Sequence, residues 1–432
     1  MVERQTDPDP TGRPETAAPL GARELYEDLI YGFRIGTLPT SRRVDAIRFL
    51  PVSAPQTAST DSLENVAVLA RMTSDCFDDS AALELTGGTD SRLVLALALA
   101  GGGRPRKSFT VAVGSSDDVR VAAEIAALLG IEHRTITPSP DPTTALRDAA
   151  NFARESGWVC NCVGYGWLPD VYRQLADFRT TQVGGVGGEI ASGFYRTALD
   201  PIWRHPPLLP FWKRLRLARP GFTASSLFRI ADARRLERET AHGIGDFFKA
   251  CTSVAGWQER TDDLYLKRRI GHWALPTLKA SSYWYQPRMP FLSANYLAWA
   301  RAVPAAERTR SRQVRLADQL ITSALSPNDA AGLFVAPRRA RGRKLGKIVH
   351  ALERLASKPR ESPPLFQEFA KALVRDERFR RGVLALADDR VCNLGLDPNG
   401  VRDAIARPHQ FAFELGALGT AAFSHGLIDT TD

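Results

Sequence analysis

The chain has 432 residues, 44% hydrophobic and 24% charged, with 57 basic against 48 acidic residues and a net charge of +9. These values fit a soluble globular protein of two or three domains, or one large α/β domain with an appendage, and exclude disorder or a fibrous class for the whole chain. A mild positive bias permits an anionic ligand such as a nucleotide without arguing for nucleic acid, and there is no run of 18 apolar residues to form a membrane span.

The first twenty residues carry Asp7, Pro8, Asp9, Pro10, Pro14 and Pro19 and no apolar core, which reads as a disordered tail and not a signal peptide. A helix follows around Ala22–Tyr31, then an extended piece at Ala46–Val52, a polar Ser/Thr stretch and a helix around Leu63–Cys76. The pattern then alternates. Ala81–Leu85 reads as a buried strand, Arg92–Ala100 as an apolar helix stopped by Gly101-Gly102-Gly103, and Lys107–Val113 as a second strand. Asp117–Leu129 is a helix closed by Gly130, and Glu132–Thr137 a third strand. Strands and helices at this spacing predict βαβ units and a parallel sheet. Thr180–Val183 reads as one more strand, and the chain beyond residue 200 as mostly helical. Five cysteines, with Cys160 and Cys162 forming only a C-x-C, predict no zinc site and a reducing, cytoplasmic compartment.

The chemistry concentrates in two glycine loops, each between a strand and a helix. In Thr86-Gly87-Gly88-Thr89-Asp90-Ser91, two glycines let the backbone approach a ligand closely, and the amides from Gly87 to Ser91 with the following helix dipole form an anion site. Asp90 is out of place beside an anion unless Mg²⁺ bridges the two, so the loop suits a metal-chelated polyphosphate. It is not the common P-loop: the near miss at Gly101 to Ser108 has Arg106 where a glycine is obligatory. The second loop, Gly184-Gly185-Val186-Gly187-Gly188-Glu189, would face the same crevice and bring a second carboxylate to Asp90.

Leu85-Thr86-Gly87-Gly88-Thr89-Asp90-Ser91 resembles the S-G-G-x-D-S loop of the N-type ATP pyrophosphatases, and the chain resembles the synthetase domain of asparagine synthetase within that group. Ser108 to Gly114 with Asp118, Gly185 to Glu189 through Gly193-Phe194-Tyr195, and Arg288-Met289-Pro290-Phe291-Leu292 extend the likeness over roughly residues 80–340. The resemblance implies an α/β fold of the adenine nucleotide α-hydrolase-like kind, with a parallel five-stranded sheet flanked by helices and a mostly helical C-terminal part. It implies that Thr86, Gly87, Gly88, Asp90 and Ser91 hold the β- and γ-phosphates of ATP. Asp90 and Glu189 would bind Mg²⁺, Leu85 and Val113 would contact adenosine through main chain, and Gly184 and Gly185 would close over it. The late catalytic lysine of the family corresponds to the run Arg338 to Lys344, where Lys344 and then Arg339 are the candidates.

Three departures shape the expectation. Too little chain precedes residue 76 for the family's glutaminase, and Val2 stands directly after Met1 where the family has its catalytic Cys, with no Cys before Cys76. The expected layout is therefore a tail at 1–20, a remnant linker of a lost glutaminase domain at 21–75, a synthetase domain at 76–345 and a helical extension at 346–432. Val186 stands where asparagine-forming members have Glu, and Val is neither acid nor base, which argues against aspartate as substrate. Ser293 replaces the Asp of R-x-P-F-L-D, but can still cap a helix starting at Asn295.

The resemblance thus implies an ATP- and Mg²⁺-dependent ligase that adenylates a carboxylate, releases pyrophosphate and passes the acyl group to an amine. Lasso-peptide cyclases and β-lactam synthetases are relatives of this type, which suggests specialised biosynthesis. The substrates would be a small-molecule or peptide carboxylate and an amine. A carrier protein, a leader peptide or a separate amidohydrolase would be the partner, with no role for a membrane or nucleic acid. An asparagine synthetase using free ammonia or a partner amidotransferase, and a non-catalytic nucleotide-binding relative, remain the alternatives.

Overall fold

The computed structural model describes residues 19–31, 33–35, 62–112, 117–195, 212, 217, 226–251, 256–304, 307–324 and 363–430. Strands β1 (Ala81–Glu84), β2 (Lys107–Val111), β3 (Glu132–Ile136), β4 (Thr181–Val183) and β5 (Gln286–Arg288) form one parallel sheet in the order β3-β2-β1-β4-β5. The fold is the expected α/β type with a helical C-terminal region.

Helix α1 spans Ala22–Tyr31 and α2 spans Ser62–Ser74, both as the sequence predicts. Helices α3 (Thr89–Ala100) and α4 (Asp117–Leu128) follow β1 and β2, and α5 (Ala145–Glu155), α6 (Cys162–Tyr165) and α7 (Leu168–Gln174) lie between β3 and β4. Strand β1 shows how the sheet sorts its two faces. Ala81, Leu83 and Leu85 join a core with residues of α2, α3 and α4, whereas Ala82 joins a core with α1, α5, α6 and the C-terminal helices. Period-two alternation sends successive side chains to opposite layers.

The strand order decides where a ligand can sit. The chain winds outward from β1 through β2 to β3, then crosses back to place β4 on the other side of β1. The crevice between the carboxyl ends of β1 and β4 is therefore the switch point, the usual ligand position in open parallel sheets. Both glycine loops leave the sheet there.

The segments expected to flank the synthetase are built into these cores. Leu25, Tyr26 and Leu29 of α1 are buried, and Arg34 is 1% exposed, its guanidinium paired with Asp28 and Glu24. Leu20, assigned to the tail, is also buried, and its amide donates to Ser424 Oγ at 3.1 Å; the apolar side chain draws the end of the tail into the core. The Ala412–Ser424 helix packs on α1, α5 and α6, and Asn161 Nδ2 donates 2.7 Å to the Phe413 carbonyl. Residues 363–430 thus complete one face of the sheet. All five cysteines are buried and free, and no helix among the described residues is long and apolar enough to cross a membrane.

Candidate functional site

Helix α3 starts earlier than the sequence pattern suggested. Gly88 is its N-cap and Thr89 its first residue, so Asp90 and Ser91 sit in the first turn and not in the loop. No side chain caps that turn, so its amides and the positive end of the helix dipole are available to an anion.

The loop before the helix is held from within. Ser91 Oγ accepts from the Thr86 amide at 3.1 Å, and Thr86 Oγ1 accepts from the Gly88 amide at 3.0 Å. The Gly87 amide donates to the Asp118 carbonyl at 3.1 Å. The expectation that the amides from Gly87 onward all point at the ligand is therefore corrected: those of Gly87 and Gly88 shape the loop. The Leu85 amide is likewise taken by the Phe109 carbonyl at 2.9 Å, and the Leu85 carbonyl already accepts from Thr110 Oγ1, which leaves it one lone pair.

The second loop packs directly on the start of α3. A Cβ on Gly188 would lie 2.4 Å from Asp90 Oδ1, and one on Gly185 would lie 3.0 Å from the Asp90 carbonyl carbon. Only glycine permits this approach. Gly184 continues the sheet, its amide donating 3.1 Å to the Arg288 carbonyl. Val186 packs against the α2–α4 core and brings no ionisable group.

The two loops bring Asp90 and Glu189 together. Burial first, and the Glu189 carboxylate second, push the Asp90 carboxyl up to about 7; Gln313 and Arg310 oppose the shift. Glu189 Oε2 accepts from the Tyr265 hydroxyl at 2.6 Å. Among the described residues there is no group of three or more His, Cys, Asp or Glu placed to hold a metal. A pair of carboxylates beside an uncapped helix start fits Mg²⁺, which takes one or two carboxylates and completes its shell with phosphate oxygens and water. Asp90 and Glu189 would be the residues that hold it.

Four residues of the site carry no sequence motif. Gln313 Nε2 donates to the Gly188 carbonyl at 2.7 Å and to Asp90 Oδ1 at 3.4 Å. Arg310 Nε donates to Thr89 Oγ1 at 2.9 Å, the Tyr296 hydroxyl donates to the Gly188 carbonyl at 3.0 Å, and Tyr265 holds Glu189. One signal was present: Gln313 shares the buried stripe of its helix with Ala317 and Ile321, a polar residue where the spacing calls for an apolar one.

Val113, Arg339 and Lys344 lie outside the described residues. Trp284 and Tyr285 precede β5 at the amino ends of the strands, away from the glycine loops. There Tyr285 is buried against Tyr172 and under the Arg179 guanidinium, 4.0 Å away. His133 is tied to the strands, with Nδ1 2.9 Å from Ser108 Oγ.

A comparison with curated proteins returns no match. The family model described as asparagine synthase matches residues 62–321, more than half of the chain, and that span contains both glycine loops, the carboxylate pair and the four residues that support them. The chain belongs to the asparagine synthase family, whose members are ATP-dependent ligases.

Proposed function

We propose that this protein activates a carboxylate by adenylation, with release of pyrophosphate, and transfers the acyl group to an amine in the biosynthesis of a specialised small molecule or peptide. The observation that carries the reading is the convergence of the uncapped α3 start with the half-buried Asp90–Glu189 pair at the β1–β4 switch point. Thr86, Gly87, Gly88 and Ser91 shape the phosphate loop, and Leu85, Val113, Gly184 and Gly185 border the nucleoside. Asp90 and Glu189 would hold Mg²⁺, which would supply charge neutralisation to the polyphosphate.

Charge that builds on phosphate in such a reaction needs fixed cations nearby. Arg310, bonded to Thr89 at the start of α3, is one; Lys344, then Arg339, are the residues we propose for the catalytic role. Val186 offers no proton acceptor, which speaks for an amine that is deprotonated by another group or attacks without a base of the enzyme, and against aspartate amidation. The natural partner of the reaction is then a carrier protein, a leader peptide or a separate amidohydrolase.

The test is a screen of amino acids and peptides for substrate-dependent formation of AMP and pyrophosphate from ATP. ADP and phosphate in their place would overturn the reading. Lys344→Ala is expected to lower pyrophosphate release by at least about 100-fold, the scale of losing one transition-state contact.

A further inference from the structure

Two carboxylates brought together in a half-buried site repel each other, and the longer one has the freedom to swing away. Glu189 sits in a short 3-10 helix, Gly188–Ser192, with three rotatable side-chain bonds. What holds it is the Tyr265 hydroxyl, 2.6 Å from Oε2.

Tyr265 is itself immobilised. It is 2% exposed, with its ring 4.9 Å from that of Phe194 and 6.1 Å from that of Tyr195. It opens a ten-residue π-helix, Tyr265–Ala274, directly after the Trp257–Leu264 helix. Wide turns of this kind are rare and recur at functional sites.

We propose that Tyr265 is a positioning residue for cation binding: its hydroxyl pins the Glu189 carboxylate beside Asp90, so that the glutamate, at its full length, serves as the second ligand of a divalent cation. The inference rests on the reading of Asp90 and Glu189 as metal ligands and adds a residue that touches neither metal nor nucleotide. Partners that orient a metal ligand typically change affinity by about 10- to 100-fold when removed.

The experiment measures Mn²⁺ affinity of the full chain by electron paramagnetic resonance, with a non-hydrolysable α,β-methylene ATP analogue present so that no turnover enters the readout. Tyr265→Phe keeps the ring contacts and is expected to weaken Mn²⁺ binding about 10-fold. Glu189→Asp, whose carboxylate falls short of the hydroxyl, is expected to show a similar loss, and the double variant to be no weaker than either single one. Wild-type affinity in Tyr265→Phe or in Glu189→Asp, or losses that multiply in the double variant, would overturn the proposal. Should Tyr265→Phe fail to fold, the Glu189→Asp result alone decides. Asp90→Ala and Glu189→Ala separate the levels: if both bind Mn²⁺ like the wild type, the ligand assignment itself is wrong and the role of Tyr265 falls with it.

Discussion

Gln313 and Gly188 are joined by a 2.7 Å hydrogen bond from the side-chain amide to the backbone carbonyl, and the same Nε2 lies 3.4 Å from Asp90 Oδ1. One side chain thus clamps the second glycine loop to the carboxylate that begins α3. Gln313→Leu keeps the volume and removes the donor. The Gly188 carbonyl retains Tyr296, so the fold should lose only about 1 kcal/mol. Catalysis should suffer more, with kcat/KM for pyrophosphate release down about 10-fold, because misplacement near 1 Å is costly at a reacting centre. Parallel urea melts and kinetics separate the two effects.

The Asp90 carboxyl gives the metal-free protein a defined pH response. Its folded value of about 7 lies above the ordinary aspartate value of 3.8, so the folded state holds a proton that the unfolded chain has released between those limits. Stability of the metal-free protein therefore falls as pH rises through that window, and the full cost of ionised Asp90 is present above about 7. Asp90→Asn removes this cost. Urea midpoints in the presence of a chelator should show the variant gaining on the wild type from pH 5 to pH 8. A constant difference across that range would contradict the shift.

Space, not charge, decides the outcome at Gly188. A Cβ there would sit 2.4 Å from Asp90 Oδ1, so Gly188→Ala must displace the carboxylate or the loop. Pyrophosphate release is expected to fall by about 100-fold or more, on the scale of misplaced reacting groups. Gly245 is the control: it lies in the Ile230–Ala250 helix with nothing within 4 Å of its Cβ position. Gly245→Ala should leave activity unchanged and stabilise the helix by up to about 1 kcal/mol.

Ser293 tests the one motif departure that the structure explains. Its hydroxyl accepts from the Tyr296 amide at 3.1 Å and caps the Ala294–Ala302 helix, which begins one residue before the expected start at Asn295. Ser293→Ala should cost about 1 kcal/mol by urea denaturation, whereas Ser293→Asp, a cap of equal strength, should be close to neutral.

The parts legible in the sequence are those built from local pattern. The buried strand Ala81–Leu85, the glycine loop after it and the apolar helix beyond are contiguous, so periodicity and turn chemistry suffice. Strand β5 escaped because Gln286-Pro287-Arg288 has neither length nor alternation. It is an edge strand: the Gln286 amide and the Arg288 carbonyl bond toward β4, so the missing N–H of Pro287 faces outward, where proline is tolerated. Gln313, Arg310, Tyr265 and Tyr296 reach the site from segments 75 to 125 residues beyond Glu189 or more than 100 beyond Asp90, separations that no short motif spans. Asp90 and Glu189 were legible because each lies beside glycines that had to be small.

The Ala412–Ser424 helix has a consequence for what counts as the folding unit. It is buried along nearly its whole length, its Thr420 Oγ1 accepts from the Cys162 amide at 2.9 Å, and residues just beyond it bond to Leu20 near the other end of the chain. The stretch recognisable by family, 62–321, stops about ninety residues short of it. Expressed alone, that stretch would present the faces of α5 and α6 to water and forfeit α1 as well, with insolubility as the expected result. The boundaries that define kinship are thus narrower than those that define an autonomous domain, because one face of the sheet is covered by segments from both sides of the matched span.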